Sequence, residues 1–262
     1  MRVLECVVNV SEGGNAAVLD ALSDSVAEHL LDVHSDRDHN RSVFTLIGET
    51  APRLLASRAM DLMDINDHSG VHPRLGIIDV VPFVPLFDAH WTDAVRARND
   101  FAQWAATELQ VPCFLYGGER TLPDIRRTAW NSLSPDVGPT QPHHTAGAIC
   151  VGVRQPLIAY NVWLAGVDLA TTKAIASAVR SDSIRTLGLQ VGEYTQVSIN
   201  LVSPETSNPA DAFDAVRKHA PIHHCELVGL LPRDVLRSIP ESRWEELDLA
   251  EDRTIEWRLE NR

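Results

Sequence analysis

A chain of 262 residues that is 44% hydrophobic and 23% charged can bury a sizeable core, as one large domain or as two of ordinary size. Its formal net charge of -13 repels phosphate backbones and anionic bilayers, so nucleic acid is excluded as an expected partner, and an anionic small ligand needs a local basic pocket. No apolar run is long enough to cross a membrane, and the opening MRVLECVVNVSEG has neither a lysine-rich lead nor a small-residue cleavage site.

The first strand is expected over Val3 to Val10, ending at Ser11, Glu12, Gly13 and Gly14. A helix follows, with apolar residues at Val18, Leu19, Leu22, Val26 and Leu30. The polar run HSDRDHNR, residues 34 to 41, reads as a loop, Ser42 to Ile47 as a strand, and Thr50 with Pro52 as the opening of a helix through Met63. Asp67 to Val84, DHSGVHPRLGIIDVVPFV, then brings His72 and Arg74 to a strand that is apolar except at Asp79. Pro73 fixes its own φ and biases His72 away from helix, and the nearly unbroken apolar run predicts a strand covered on both faces. A helix from Thr92 to Leu109 and a strand from Val111 to Tyr116 close this half at the Gly117-Gly118 turn.

A second series starts at Gly147. The runs Gly147 to Val153 and Leu157 to Trp163 are separated by Arg154, Gln155 and Pro156, which reads as a hairpin-like break. Helix Leu169 to Val179, strand Gln196 to Val202, helix Pro209 to Ala220 and strand Cys225 to Pro232 then repeat the order seen in the first half. Strand, helix, strand, helix, strand occurring twice predicts an α+β chain of two related α/β subdomains, each a mixed sheet with helices on one face in ferredoxin-like order. The Pro- and Gly-rich SPDVGPTQPHH, residues 134 to 144, is the expected linker, which divides the chain into residues 1–140 and 141–262. The acidic and arginine-rich tail from Glu241 reads as a solvated terminal element.

The cysteines at 6, 113, 150 and 225 are far apart, sit in apolar runs and form no CxxC pair, as expected of reduced core residues in a cytoplasmic protein. Ser11 and Ser69 lie outside GxSxG, and Gly13-Gly14 makes neither GxGxxG nor a P-loop, which disfavours serine hydrolysis and common nucleotide binding. Among the eleven histidines, His72 can act in proton transfer or close its loop with a hydrogen bond. The cluster His34, Asp36, Asp38, His39, Asn40 and Arg41, with His68, has metal-type groups, but Pro73 opposes a helical histidine pair and no HExxH is present, so no metal is assigned. A turn closed by Asp and Asn side chains is the simpler account of residues 34–41.

Taken together, ECVVNVSEG (5–13), LLDVHSDRDHNRSVFTLIG (30–48), HPRLGIIDVVPFVP (72–85), VPCFLYG (111–117), GPTQPHHTAGAICVGVRQPLIAYNVWL (138–164), VSINLV (197–202) and ELVGLLP (226–232) resemble glutamate formiminotransferase, colinearly over nearly the whole chain. The resemblance implies a transferase that moves a formimino group between N-formimino-L-glutamate and the co-substrate tetrahydrofolate, in two α/β subdomains with the folate in a tunnel between them, and a homodimer. It places His72 on the family's catalytic histidine and residues 143–152 on its folate-contacting stretch, where His143, His144, Thr145, Gly147 and Gly152 are the expected contacts. The resemblance extends only to the transferase half of the bifunctional enzymes, so ammonia release from the product is expected to need a separate enzyme.

The chemistry suits these residues. A base with a pKa near neutrality removes the folate amine proton and returns one to the departing glutamate nitrogen, and His72 can do both. Guanidinium forks suit the two carboxylates of glutamate, which points to Arg41 and Arg74, with His34 and His39 beside them. Asp36 or Asp38 is the expected orienting acid for the imidazole. Three departures bear on specificity: His34 stands where the bifunctional enzymes carry aspartate, Ala146 replaces a tryptophan of the folate stretch, and the loops at 117–137 and 180–193 are reduced. Formyl transfer from 5-formyltetrahydrofolate to glutamate, a non-catalytic folate-binding module and metal-assisted hydrolysis remain the alternatives.

Overall fold

A computed structural model of the chain describes residues 2–70 and 74–262. It divides into two compact units, Met1–Gln155 and Pro156–Arg262. His72, with Val71 and Pro73, lies outside the described residues.

The first unit runs β1 (Arg2–Val10), α1 (Ala16–Ser25), β2 (Leu30–Asp36), β3 (Arg41–Ile47), α2 (Ala51–Leu62), β4 (Ile78–Phe87), α3 (Trp91–Glu108), β5 (Cys113–Tyr116), α4 (Leu122–Thr128) and β6 (Ile149–Val153). Among the described residues its sheet has the order β2-β3-β1-β4-β6-β5. The β1 pairings with β3 and β4 and the β2 pairing with β3 are antiparallel, whereas β6 lies parallel to both β4 and β5.

The second unit runs β7 (Ile158–Leu164), α5 (Leu169–Val179), β8 (Ile184–Val191), β9 (Tyr194–Leu201), α6 (Pro209–Arg217), β10 (Ile222–Val228), α7 (Arg233–Arg237) and α8 (Ile255–Glu260). Its strands take the order β10-β7-β9-β8, all antiparallel. Numbered within each unit, both sheets contain the same fourth-first-third-second order from a strand-helix-strand-strand-helix-strand chain. That is the ferredoxin-like repeat expected from the sequence, with β6 and β5 added past β4 in the first unit only.

Amphipathic packing builds each unit. In the first, Cys6, Val8, Val10, Phe44, Leu46, Val81, Phe83, Ile149 and Val151 meet Leu22 of α1, Leu55 and Ala59 of α2 and Phe101 and Ala105 of α3. Alternation turns Val80, Phe114, Tyr116 and Cys150 to the other face, where Ile125 of α4 and Ala129 cover them. Helices therefore cover both faces of this sheet, not one, which is why β4 is buried along nearly its whole length. In the second unit Tyr160, Val162, Leu164, Val197, Ile199 and Leu227 pack on Ile175, Phe213 and Val216.

Several sequence expectations shift. Residues 34–36 continue β2 instead of starting the loop, and α1 stops at Ser25, so Leu30 belongs to the strand. The strand β8 and the helix α4 occupy segments read as reduced loops. The Pro- and Gly-rich stretch at 134–144 belongs to the first unit, where Cys113 and Val137 exchange backbone hydrogen bonds and Asp136 accepts the Leu115 N–H at 2.8 Å. The units divide at Gln155 and Pro156, not at 140/141, because β6 is paired between β4 and β5. The Arg154-Gln155-Pro156 break thus joins strands of two different sheets, not the arms of a hairpin. The tail is not fully solvated: Leu247 and Leu249 are buried in the second core, and Tyr160 Oη donates to Leu247 O at 2.9 Å.

All four cysteines are free and buried. Burial pushes the Cys113 thiol up to about 12 and Cys225 to about 11, and raises Cys6 and Cys150 as well. At pH 8 the native protein is expected to react with an aromatic disulfide reagent at least about 100-fold more slowly than the unfolded chain, because the thiolate is the reacting form. A native thiol that titrates at the unfolded rate would contradict this placement.

Candidate active site

The polar turn between β2 and β3 is closed by its own side chains. Asp36 Oδ1 accepts the N–H groups of Asp38 and His39 at 2.8 and 2.9 Å, and Oδ2 lies 3.5 Å from the Nδ1 of buried His39, the local closure favoured by aspartate. Asn40 takes a left-handed φ of 47°, a region tolerated by asparagine. Its side chain accepts the Gly13 N–H at 2.9 Å and donates to Ser69 O at 2.8 Å, tying this turn to the end of β1 and to the segment before β4. A Cβ on Gly13 would sit 2.0 Å from Asp36 O, so glycine is required there.

The segment leading to β4 is held from several sides. Ser11 N–H donates to Ile77 O at 2.7 Å, and its hydroxyl donates to Gly76 O at 2.8 Å. His68 Nε2 lies 2.8 Å from Asn40 O, so it is the protonated nitrogen, since a carbonyl only accepts. The buried His68 Nδ1 has no hydrogen-bond partner among the described residues. Arg74 Nη2 donates to His68 O at 3.0 Å and Nη1 to Gly70 O at 3.2 Å. Ser11, His39, Asn40, Arg41, His68, Arg74 and Asp79 line one polar cavity of about 10 Å³, the room of a single water.

Residues 143–148 lie directly beside this segment. Ile65 N–H donates to Thr145 O at 2.7 Å, Ile77 N–H to Ala146 O at 3.0 Å and Ala148 N–H to Leu75 O at 2.9 Å, while Asn66 Nδ2 reaches His144 O at 2.9 Å. His143 and Gly147 exchange backbone bonds of 2.8 and 2.9 Å, which closes a tight turn around Thr145. The His143 ring supports it: Nδ1 accepts from Thr145 N–H at 3.3 Å and from Ala146 N–H at 3.1 Å.

Burial first, and the neighbouring His144 second, lower the His143 pKa below the ordinary value. The unfolded chain therefore binds this proton more readily than the folded one, so the stability of the turn is complete above about pH 6.5 and declines as pH falls through that value. Amide protection at Thr145 and Ala146, corrected for intrinsic exchange, is expected to drop between about pH 6.5 and 5. Protection that stays flat over that range would contradict the assignment.

Of the residues read from sequence, the structure brings His39, Arg41 and Arg74 to one cavity, and sets His143, His144, Thr145 and Gly147 against the same segment. Asp36 is committed to its own turn, Asp38 is exposed, and His34 sits on β2 opposite Val43. Gly152 lies within β6, where a Cβ would meet the Tyr116 ring at 2.0 Å, so packing accounts for that glycine. Ser11, Asn40, His68 and Asp79 were visible as residues but had no assigned role. Their signal was position, at strand ends that converge, which needs the topology to be read. Arg126, which pairs with Asp79, gave no signal. Among the described residues no three His, Cys, Asp or Glu side chains group closely enough to hold a metal ion.

Residues 3–154 match the formiminotransferase domain, N-terminal subdomain. The chain is 32% identical to a glutamate formimidoyltransferase of Streptococcus pyogenes serotype M1 over 92% of each chain, and 31% identical to one of Thermoplasma acidophilum over 90% of each. It is also 32% identical to the formimidoyltransferase-cyclodeaminase of Mus musculus, covering 90% of this chain and 51% of that one. With a duplicated ferredoxin-like topology, a polar cavity at the converging strand ends and these matches along nearly all its length, the chain belongs to the formiminotransferase family.

Proposed function

We propose that the chain works as a glutamate formimidoyltransferase, a folate-dependent enzyme of histidine degradation and one-carbon metabolism. It moves a formimino group between N-formimino-L-glutamate and tetrahydrofolate. The observation that carries this reading is the match to stand-alone glutamate formimidoyltransferases over nine-tenths of both chains. Tetrahydrofolate is a co-substrate: it enters free and leaves carrying the formimino group.

In the proposed mechanism the folate N5 attacks the amidine carbon, and the new N–C bond precedes cleavage of the carbon bond to the glutamate nitrogen. His72 removes the N5 proton as the tetrahedral centre forms and returns a proton to the departing nitrogen, so one imidazole near neutrality serves both steps. Arg41 and Arg74, both on the cavity wall, supply the guanidinium groups that suit the substrate carboxylates. His34 and His39 lie on the substrate side of the site in this reading. Asp36 holds His39 and the turn, and Asp38 completes the acidic edge of that turn. The tract His143, His144, Thr145 and Gly147 faces the folate in this reading, and Gly152 supports it from within β6. The working form is a cytoplasmic homodimer.

The test is an assay with both substrates, following 5-formiminotetrahydrofolate by absorbance. Transfer from formiminoglutamate supports the reading. Transfer only between 5-formyltetrahydrofolate and glutamate, or calorimetric binding of reduced folate with no turnover from either donor, would overturn it.

A further inference from the structure

His68 lines the polar cavity, yet the mechanism proposed for transfer gives it no part. Its Nε2 donates to Asn40 O at 2.8 Å, so the ring proton is fixed on that nitrogen and a lone pair is left at Nδ1. That Nδ1 is buried and has no hydrogen-bond partner among the described residues. A buried acceptor without a donor is costly, so this wall calls for an N–H or O–H in the cavity.

Ser11 shares the wall. Its hydroxyl proton goes to Gly76 O at 2.8 Å, so toward any other group Ser11 Oγ can only accept. The Asn40 amide is committed at both atoms, Oδ1 accepting the Gly13 N–H and Nδ2 donating to Ser69 O. The donors of the cavity are the guanidiniums of Arg41 and Arg74, which the proposed reaction gives to the substrate carboxylates. A volume of about 10 Å³ admits one water or a group of that size. A terminal NH2 meets these conditions, with one N–H for His68 Nδ1 and one for Ser11 Oγ. A formyl oxygen of the same size meets neither acceptor, because it has no proton to give.

We propose that His68, its proton held by Asn40 O, selects a formimino over a formyl group by accepting a hydrogen bond at Nδ1 from the terminal formimino nitrogen. This rests on the reading of the chain as a formimidoyltransferase and deepens it. Moving the ring proton to Nδ1 to suit a formyl oxygen would turn a bare Nε2 lone pair on Asn40 O, so one arrangement cannot serve both groups. A site built around a substrate N–H rejects the analogue that lacks it, because its own buried group is then left unpaired.

Calorimetry with N-formimino-L-glutamate, N-formyl-L-glutamate and L-glutamate reads the selection without turnover. His68→Gln keeps an Nε2 donor for Asn40 O but has no acceptor at the position of Nδ1, whereas His68→Phe removes both. In each variant the preference for the formimino over the formyl ligand is expected to fall about 10- to 100-fold, with L-glutamate affinity within about 3-fold of the wild type. In nitrogen-15 spectra of the wild-type protein the His68 proton is expected on Nε2, and the Nδ1 signal is expected to move with the formimino ligand and not with the formyl one.

An unchanged preference in folded His68→Gln, or a wild-type protein that binds the two acylated ligands equally, overturns the proposal. Equal losses for all three ligands overturn it too, since they mark a structural role. Should neither variant fold, a wild-type ring proton found on Nδ1, or an Nδ1 signal indifferent to the formimino ligand, overturns it equally. The two readings fail separately. A wild-type protein that prefers the formimino ligand but transfers nothing to tetrahydrofolate removes the activity, whereas transfer with an unchanged preference in His68→Gln removes only the part given to His68.

Discussion

Replacing His72 with alanine is expected to lower kcat for formimino transfer about 10²- to 10⁴-fold, the usual contribution of a positioned general acid and base. Amine attack on an amidine needs a proton taken and a proton given, and of the side chains that titrate near pH 7 only imidazole does both unperturbed. Calorimetric affinity for tetrahydrofolate and the thermal midpoint are expected to stay near the wild-type values, because the substitution removes a proton carrier and leaves the binding groups in place. The pH profile of the wild-type kcat/KM is expected to carry a limb from the titration of this general base, and the variant to lose that limb. Turnover by the variant at the wild-type rate, with the limb intact, would assign the chemistry elsewhere.

The largest expected effect on stability is at Gly147. It has a φ of +72°, and a Cβ built there lies 2.1 Å from Leu75 O and 2.9 Å from Gly76 Cα. Alanine faces about 1–2 kcal/mol for the left-handed conformation and about 1–3 kcal/mol for displacing backbone that has no room to move. Gly147→Ala is therefore expected to cost about 3 kcal/mol, or roughly 10 °C in the thermal midpoint for a unit of this size. The same change pushes the 143–148 tract away from the Leu75–Ile77 backbone, so reduced-folate affinity is expected to fall with stability. A variant with an unchanged denaturation midpoint would show that the two segments are not in van der Waals contact at this point.

How much of this was legible before folding depends on the range of the interaction. Elements defined by local patterns are legible: the apolar spacing of Leu169–Val179 gives α5 over the same residues, and the run Ile78–Phe87, apolar except at Asp79, gives a doubly covered strand. The repeat was readable because order survives when side chains change. What failed depended on partners distant in sequence. β2 is an edge strand that carries half-buried His34 and Asp36, so its polarity mimics a loop. β6 looked like the first strand of a new half, and only its pairing with β4 and β5 shows where it belongs.

The site followed the same rule. His39, Arg41, Arg74 and the 143–147 tract were visible as chemistry-bearing residues in short motifs. Asp79 stands out in the sequence as a charge among apolar residues, but its ion-pair partner Arg126 lies 47 positions further along the chain. Arg74 suited a substrate carboxylate by residue type, and its bonds to His68 O and Gly70 O appear only once the chain turns back on itself.

The two extra strands of the first sheet have a consequence for stoichiometry. The second unit repeats the four-stranded motif but has no counterpart of β6 among the described residues, and so no strand to draw a second tract alongside the entry to its last strand. Doubling of an ancestral half would thus leave two copies of the scaffold but a single pair of converging loops. Titration of the protein with tetrahydrofolate should saturate at one equivalent per chain.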